Sequence, residues 1–130
     1  MRYPEPDGPA LYHGGIRKLK RGDLILPPSQ SGAPSCADFG AEQVCRRDRV
    51  YATTEINSAR LFALAYYGGP GDLYQVVLLG DPEPDPDYDG PGESVCAPMA
   101  RVHRVLDRRV DTLFGMSRDE VFRKMEEEAK

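Results

Sequence analysis

Hydrophobic positions in this chain come in short bursts, cut apart by glycine and proline. The strongest burst is DLYQVVLL at residues 72–79, a continuous apolar run that predicts a strand buried on both faces. Shorter runs at 9–13 (PALYH), 22–26 (GDLIL), 49–53 (RVYAT) and 99–106 also predict strands. Gly14 and Gly15 are expected to end the first. Pro27 and Pro28 stop the second, because proline cannot donate to a ladder. Between 54 and 67 the period changes: Ile56, Ala59, Phe62, Ala63 and Tyr66 recur at helical spacing. Thr54 suits the cap of that helix, Glu55 suits the positive end of its dipole, and Gly68-Gly69-Pro70-Gly71 terminates it. A second helix is predicted over 117–129, opened by a capping box of Ser117 and Glu120 and carrying Val121, Phe122 and Met125. The acidic, proline-bearing stretch 81–98 reads as loop. Short strands with few helices, without internal repeats, predict one α+β domain over residues 1–130.

Composition sharpens this in a few places. The chain has 130 residues, 13 glycines and 12 prolines, and these concentrate at 2–9, 27–40 and 80–98. Long loops in a compact domain often carry function. An apolar fraction of 40% and a charged fraction of 29% fit a soluble globular protein. The net charge of −4 argues against a protein built mainly to grip nucleic acid. Two short basic runs, 17–21 and 101–109, read as solvated surface, the first also as a possible lining for phosphate. No apolar run approaches the ~20 residues of a membrane span. The start MRYPEPDGP lacks the apolar core of a signal peptide, which leads to the expectation of a cytoplasmic protein without a membrane partner. Cys36, Cys45 and Cys96 form no CxxC pair and lie far in sequence from His13 and His103, so thiols are expected rather than a zinc site, and no metal is called for.

No Walker loop, dinucleotide GxGxxG or serine nucleophile elbow is present. The informative segments are LYHGG at 11–15 with Gly22-Asp23-Leu24 after it, then RVYATT at 49–54, then DPEPDPD at 81–87. A histidine at a strand end before two glycines places an imidazole at the rim of a sheet, and glycines let a ligand approach the backbone. A surface histidine in a turn, a core tyrosine and a solvated acidic loop would leave the same traces singly.

In order, these segments resemble the rifamycin ADP-ribosyltransferases, a compact branch of the ADP-ribosyltransferase superfamily. The likeness runs from about Leu11 to Val105, within a family-like core of 11–106. It rests on Tyr12-His13-Gly14 with Gly22-Asp23-Leu24, on Val50-Tyr51 before a helix, and on the apolar strand 73–79 leading to Asp85-Pro86. The resemblance implies a compact fold of split, short-stranded β-sheets and an NAD⁺-dependent transferase. It makes His13, Tyr51 and Asp85 the catalytic candidates and Tyr12, His13, Gly14 and Tyr51 the NAD-binding ones. His13 would bond the ribose beside nicotinamide, the Gly14 backbone the nicotinamide amide, and Tyr51 would pack on the ring. The chemistry suits these types: an aromatic face attracts a cationic ring, and a carboxylate stabilises an oxocarbenium-like sugar.

The chain departs from that family in three places. Gly15 stands where threonine or serine is usual, the loop 27–49 is longer, and the segment after Asp85 is compressed. Asp81, Glu83, Asp87 and Asp89 offer other carboxylates. The expected acceptor is a small molecule, with a rifamycin-type antibiotic leading, received by the loop 27–49 and the helix 54–67 through Phe39, Phe62, Tyr66 and Tyr67. The alternatives are a macromolecular acceptor, an RNA 2′-phosphotransferase, which needs several arginines around a phosphate, and a non-catalytic NAD-binding module.

Overall fold

The computed structural model describes residues 8–27, 49–66, 69–85 and 92–128. Among them the order is β1 (Leu11–Gly15), β2 (Leu24–Ile25), β3 (Val50–Thr53), α1 (Ile56–Leu64), β4 (Asp72–Leu79), β5 (Glu83–Pro84), β6 (Ser94–Ala97), β7 (Met99–Asp107), β8 (Thr112–Leu113), β9 (Met116–Ser117) and α2 (Arg118–Glu128). The first seven strands form one sheet in the order β2-β7-β4-β1-β3-β6-β5, and β8 and β9 make a separate hairpin. Each pairing is antiparallel. The architecture is mixed α+β, as the hydrophobic pattern predicts. Among the described residues no helix is long and apolar enough to cross a membrane.

Strand β4 holds the sheet together because both of its edges are used, by β1 and by β7. Its side chains divide between two cores. Tyr74 and Val76 join Ile25, Val50, Ala52, Ala100 and Val102 in one. Leu73 joins Ala59, Ala63 and Leu64 of α1 with Val110, Leu113 and Val121 in the other. A strand that must fill a core on each side is apolar almost throughout, which is why this run was legible.

Strand β1 does not end at its glycines but continues through them, Gly14 opposite Leu73 and Gly15 opposite Asp72. Packing explains the glycine at 14. A Cβ there would stand 1.9 Å from Ala59 O and 2.7 Å from Ala63 N. Helix α1 presents its two alanines to this strand, so the bare backbone lets helix and sheet close tightly. Phe62, one of the positions at helical spacing, is 53% exposed, and Leu64, outside that spacing, is buried.

Other boundaries also shift. Helix α1 begins at Ile56, capped by Glu55, whose Oε1 accepts Asn57 N at 3.3 Å. Thr54 is drawn off to a different task, its Oγ1 accepting Glu93 N at 2.9 Å. The stretch 81–98, expected to be loop, contains β5 and β6. β5 lies at the sheet's edge, where Pro84 costs no ladder bond on its outer side. The capping pattern at α2 is present: Ser117 Oγ accepts Glu120 N at 3.3 Å and donates to Glu120 Oε1 at 3.1 Å. Ala129, Cys36, Cys45, Phe39, Tyr67, Asp87 and Asp89 lie outside the described residues, as does nearly all of the loop 27–49.

One buried carboxylate organises the end of the sheet. Asp72 is 2% exposed. Its Oδ2 accepts Lys18 N at 2.8 Å and Arg108 Nη1 at 2.7 Å, and its Oδ1 accepts Arg109 N at 2.8 Å. Arg108 also gives Nη2 to Leu19 O at 2.7 Å. Beside them Tyr74 donates its hydroxyl to Ile16 O at 2.7 Å and accepts Leu19 N at 3.1 Å. The turn after β1 and the turn after β7 are therefore pinned to β4 through one acid and one phenol. Burial alone would raise the Asp72 carboxyl, but the amides of Arg109 and Lys18 and the Arg108 guanidinium outweigh it and hold it below its ordinary value. Burial, foremost, pushes the Tyr74 phenol up to about 12.

Two outcomes follow. Gly14→Ala forces α1 away from the sheet and costs about 3 kcal/mol in urea denaturation, as overpacking does when backbone must move; an unchanged midpoint would refute the close-packed seam. Asp72→Ala leaves two amides and a guanidinium without their acceptor and costs about 2–4 kcal/mol. Because the folded carboxyl is depressed, its contribution is fully present above the ordinary carboxylate value and fades as pH falls through the folded one. Stability of the wild type should therefore fall more steeply below pH ~4 than that of Asp72→Asn, measured by denaturation at a series of pH values.

Candidate functional site

Strands β1 and β3 are neighbours but share a single pair, Tyr12 with Thr53. Where the ladder would run on toward Tyr51, a side chain replaces it: the imidazole Nδ1 of His13 lies 2.7 Å from Tyr51 O. A carbonyl oxygen has no proton to give, so Nδ1 carries the hydrogen and donates. In the neutral ring Nε2 is then a bare acceptor. His13 is thus neither at a strand end nor in a turn. It is a mid-strand residue, opposite Tyr74, whose ring closes the parting of two strands.

Burial lowers the His13 imidazole from its ordinary value, and the hydrogen bond to Tyr51 offsets part of that. With its proton affinity lowered by burial the ring is neutral at pH 7, and the Tyr51 bond decides which nitrogen carries the hydrogen. Nε2 points toward the bare face of Gly15, where an added Cβ would meet it at 3.2 Å and would meet the Tyr66 ring at 3.7 Å. The unusual glycine therefore leaves room for the imidazole and the phenol to come together. Arg17 lies over the same Tyr66 ring, 5.5 Å from its centroid. Burial raises the Tyr66 phenol, and Arg17 pulls it part of the way back.

The other sequence candidates lie elsewhere: strand alternation puts Tyr12 on the face of β1 opposite His13, and the Tyr12–Thr53 pair puts Tyr51 on that same opposite face. Tyr51 pairs with Cys96 and alternates with Val50 and Ala52, so its side chain leaves the core that those two fill. Tyr12 packs against the core beneath α1, with Leu73 and Ala59. Gly14 has its open side filled by α1, so helix packing accounts for its missing side chain. Its neighbour Gly15, by contrast, borders the imidazole.

Asp85 follows β5, and its amide donates to Ser94 O at 2.9 Å. Ser94 pairs with Thr53, and Thr53 with Tyr12. Tyr12, Thr53, Ser94 and Asp85 make one row across four strands, so Asp85 stands three strand spacings from β1, about 14 Å across a flat sheet. His13 and Tyr51 lie on β1 and β3, whereas Asp85 follows β5 at the edge of the sheet. Among the rival carboxylates, Glu83 is paired with Arg49 at 3.2 Å and Asp81 is exposed before β5. In the sequence Arg17 is one member of a basic run. Its place beside His13 depends on a turn held by Asp72, which no local pattern announces.

The imidazole's state is directly measurable. Long-range proton–nitrogen NMR should find His13 protonated at Nδ1 and bare at Nε2, with a titration midpoint below the ordinary 6.5. Since the folded pKa is depressed, stability drops as pH falls below the unfolded value, and binding of a donor to Nε2 weakens only as pH falls through the lower, folded value. A proton found on Nε2 at pH 7 would refute this arrangement. His13→Ala should lower stability by about 1–2 kcal/mol, because the Tyr51 carbonyl loses its donor.

The chain matches no protein-family model and no curated protein, so what this site does has to be read from these residues.

Proposed function

We propose that the protein is an NAD⁺-dependent mono-ADP-ribosyltransferase with an ADP-ribosyltransferase-like split sheet, moving ADP-ribose to a hydroxyl of a small molecule, with a rifamycin-type antibiotic as the leading acceptor. The observation that carries this reading is His13: a neutral imidazole, held by the Tyr51 carbonyl at the parting of β1 and β3, with its acceptor nitrogen turned to a bare glycine. The order of motifs along the chain, His13 then Tyr51 then Asp85, adds support.

Each residue has a task that its chemistry suits. His13 Nε2 accepts a hydrogen bond from a ribose hydroxyl. The Tyr51 ring offers a π-face to the cationic nicotinamide. The bond between ribose C1′ and the nicotinamide nitrogen breaks with its electron pair going to nicotinamide, which leaves neutral. Positive charge grows on the sugar, and the Asp85 carboxylate stabilises it. The acceptor oxygen forms the new bond to C1′ and its proton passes to solvent. Phe62, exposed on α1, and Tyr66 supply apolar surface for the acceptor. Gly14 is accounted for by packing and adds nothing to the reading.

The test is mass spectrometry of rifampicin, single-stranded oligonucleotides and a cell lysate after incubation with NAD⁺. The expected result is one ADP-ribose added to rifampicin. Labelling of nucleic acid or a lysate protein with rifampicin untouched overturns the acceptor, and absence of any NAD⁺ consumption overturns the activity. Asp85→Ala should lower turnover by about 10²–10³ while NAD⁺ affinity holds, since its charge matters most as the sugar cation forms. Normal turnover in this variant would mean that another acid of the acidic loop does the work.

A further inference from the structure

Six basic residues gather beyond His13: Arg17, Lys18, Lys20 and Arg21 in the turn after β1, and Arg108 and Arg109 in the turn after β7. The two turns are tied into one surface, since Asp72 accepts the amides of both Lys18 and Arg109, and Arg108 reaches Leu19 O. Lys18 and Arg109 are held at left-handed φ, 71° and 49°. Their amides turn inward to the carboxylate while their side chains stay exposed. Non-glycine residues adopt that conformation only when the surroundings enforce it. The acids nearby are largely committed. Asp72 is paired with Arg108, Asp23 accepts the Lys20 amide, and Asp107 is paired with Arg60. Asp111 lies exposed just beyond.

Arg17 links this surface to the imidazole. Its guanidinium lies over Tyr66, and Nη1 donates to Gly69 O at 3.4 Å. The edge of Tyr66 lies against Gly15, beside His13 Nε2. Acceptor nitrogen, bare glycine, aromatic ring and guanidinium therefore follow one another without a break. A guanidinium resting on an aromatic face keeps its planar fork of N–H donors, the arrangement that matches phosphate oxygens.

We propose that Arg17, flanked by Lys18 and Arg109, forms a diphosphate-binding subsite next to His13, and that the ligand carries two linked phosphates beside a hydroxylated sugar. The sugar at His13 rests on the transferase reading; the phosphate recognition does not. A compact diphosphate fits better than a polymer, because these six cations sit on two joined turns of a chain of net charge −4, whereas nucleic acid needs a longer basic track.

The test is calorimetric titration of the whole chain with inorganic pyrophosphate, ADP-ribose, NAD⁺, adenosine and a short single-stranded RNA. Arg17→Gln should weaken pyrophosphate and ADP-ribose at least about tenfold and leave adenosine unchanged. Lys18→Gln with Arg109→Gln should weaken the same ligands less, and it carries the test if Arg17→Gln does not fold. The subsite is overturned if pyrophosphate and ADP-ribose do not bind at millimolar concentration, if neither the Arg17 variant nor the double variant changes their affinity, or if RNA binds more tightly than ADP-ribose through Arg17. Arg17-dependent pyrophosphate binding with no consumption of NAD⁺ would keep the subsite and remove the transferase. NAD⁺ turnover with an unchanged KM in Arg17→Gln would do the reverse.

Discussion

The Asp72 carboxylate is the constraint on which this end of the molecule depends. A charged group at 2% exposure is tolerated only if its lone pairs are filled, and here two amides and a guanidinium fill them. The donors come from two different turns, and the acid is where the two meet. Remove the acid, and the turn after β1 and the turn after β7 lose their common post. The consequence reaches the site through register. Asp72 stands opposite Gly15 and Tyr74 opposite His13, so the strand that carries the carboxylate also seats the imidazole. Tyr74 adds a second tie to the same turn from the neighbouring core.

Much of the fold was legible where one physical demand acted alone. Residues 72–79 had to be apolar because β4 has a core on both sides, and the strand begins and ends where the run does. The box at Ser117 was legible because a cap is local. Legibility failed where a residue answered to something distant. Gly14 and Gly15 read as punctuation, yet one is bare for the sake of α1 and the other borders an imidazole. Thr54 had the right chemistry to cap α1 but spends its hydroxyl on Glu93, leaving the cap to Glu55. Pro84 argued against a strand, and only the edge position of β5 makes it acceptable. The hairpin of β8 and β9 went unseen because its strands have two residues each, too few for a period to show.

The candidate site divides the same way. His13, Tyr51 and Asp85 stood out as residue types in a recognisable order. What joins them did not. The bond from His13 to the Tyr51 carbonyl spans 38 residues and uses main chain, which has no sequence signature. Tyr12 had the motif of a ligand residue, while its place against the core beneath α1 follows from strand alternation. Arg17 needed the Asp72 tie before its position meant anything.

Parting two strands of a sheet exposes backbone groups that would otherwise pair, and leaving them unmet costs about as much as a lost hydrogen bond. The His13 imidazole meets this demand at one carbonyl, and in doing so it settles its own chemistry. Donation from Nδ1 fixes the tautomer, and burial lowers the affinity for a second proton. The outcome is an acceptor without charge. For the proposed ligand that distinction decides whether the site works: nicotinamide in NAD⁺ is cationic, and an imidazolium beside the same ribose would repel it and also lose the lone pair that the sugar hydroxyl needs. A lysine or arginine could fill the same gap in the sheet and satisfy the same carbonyl, but each would bring the charge. Opening the sheet here and keeping the site neutral are thus met by one residue, and histidine is the side chain whose second nitrogen is left to accept.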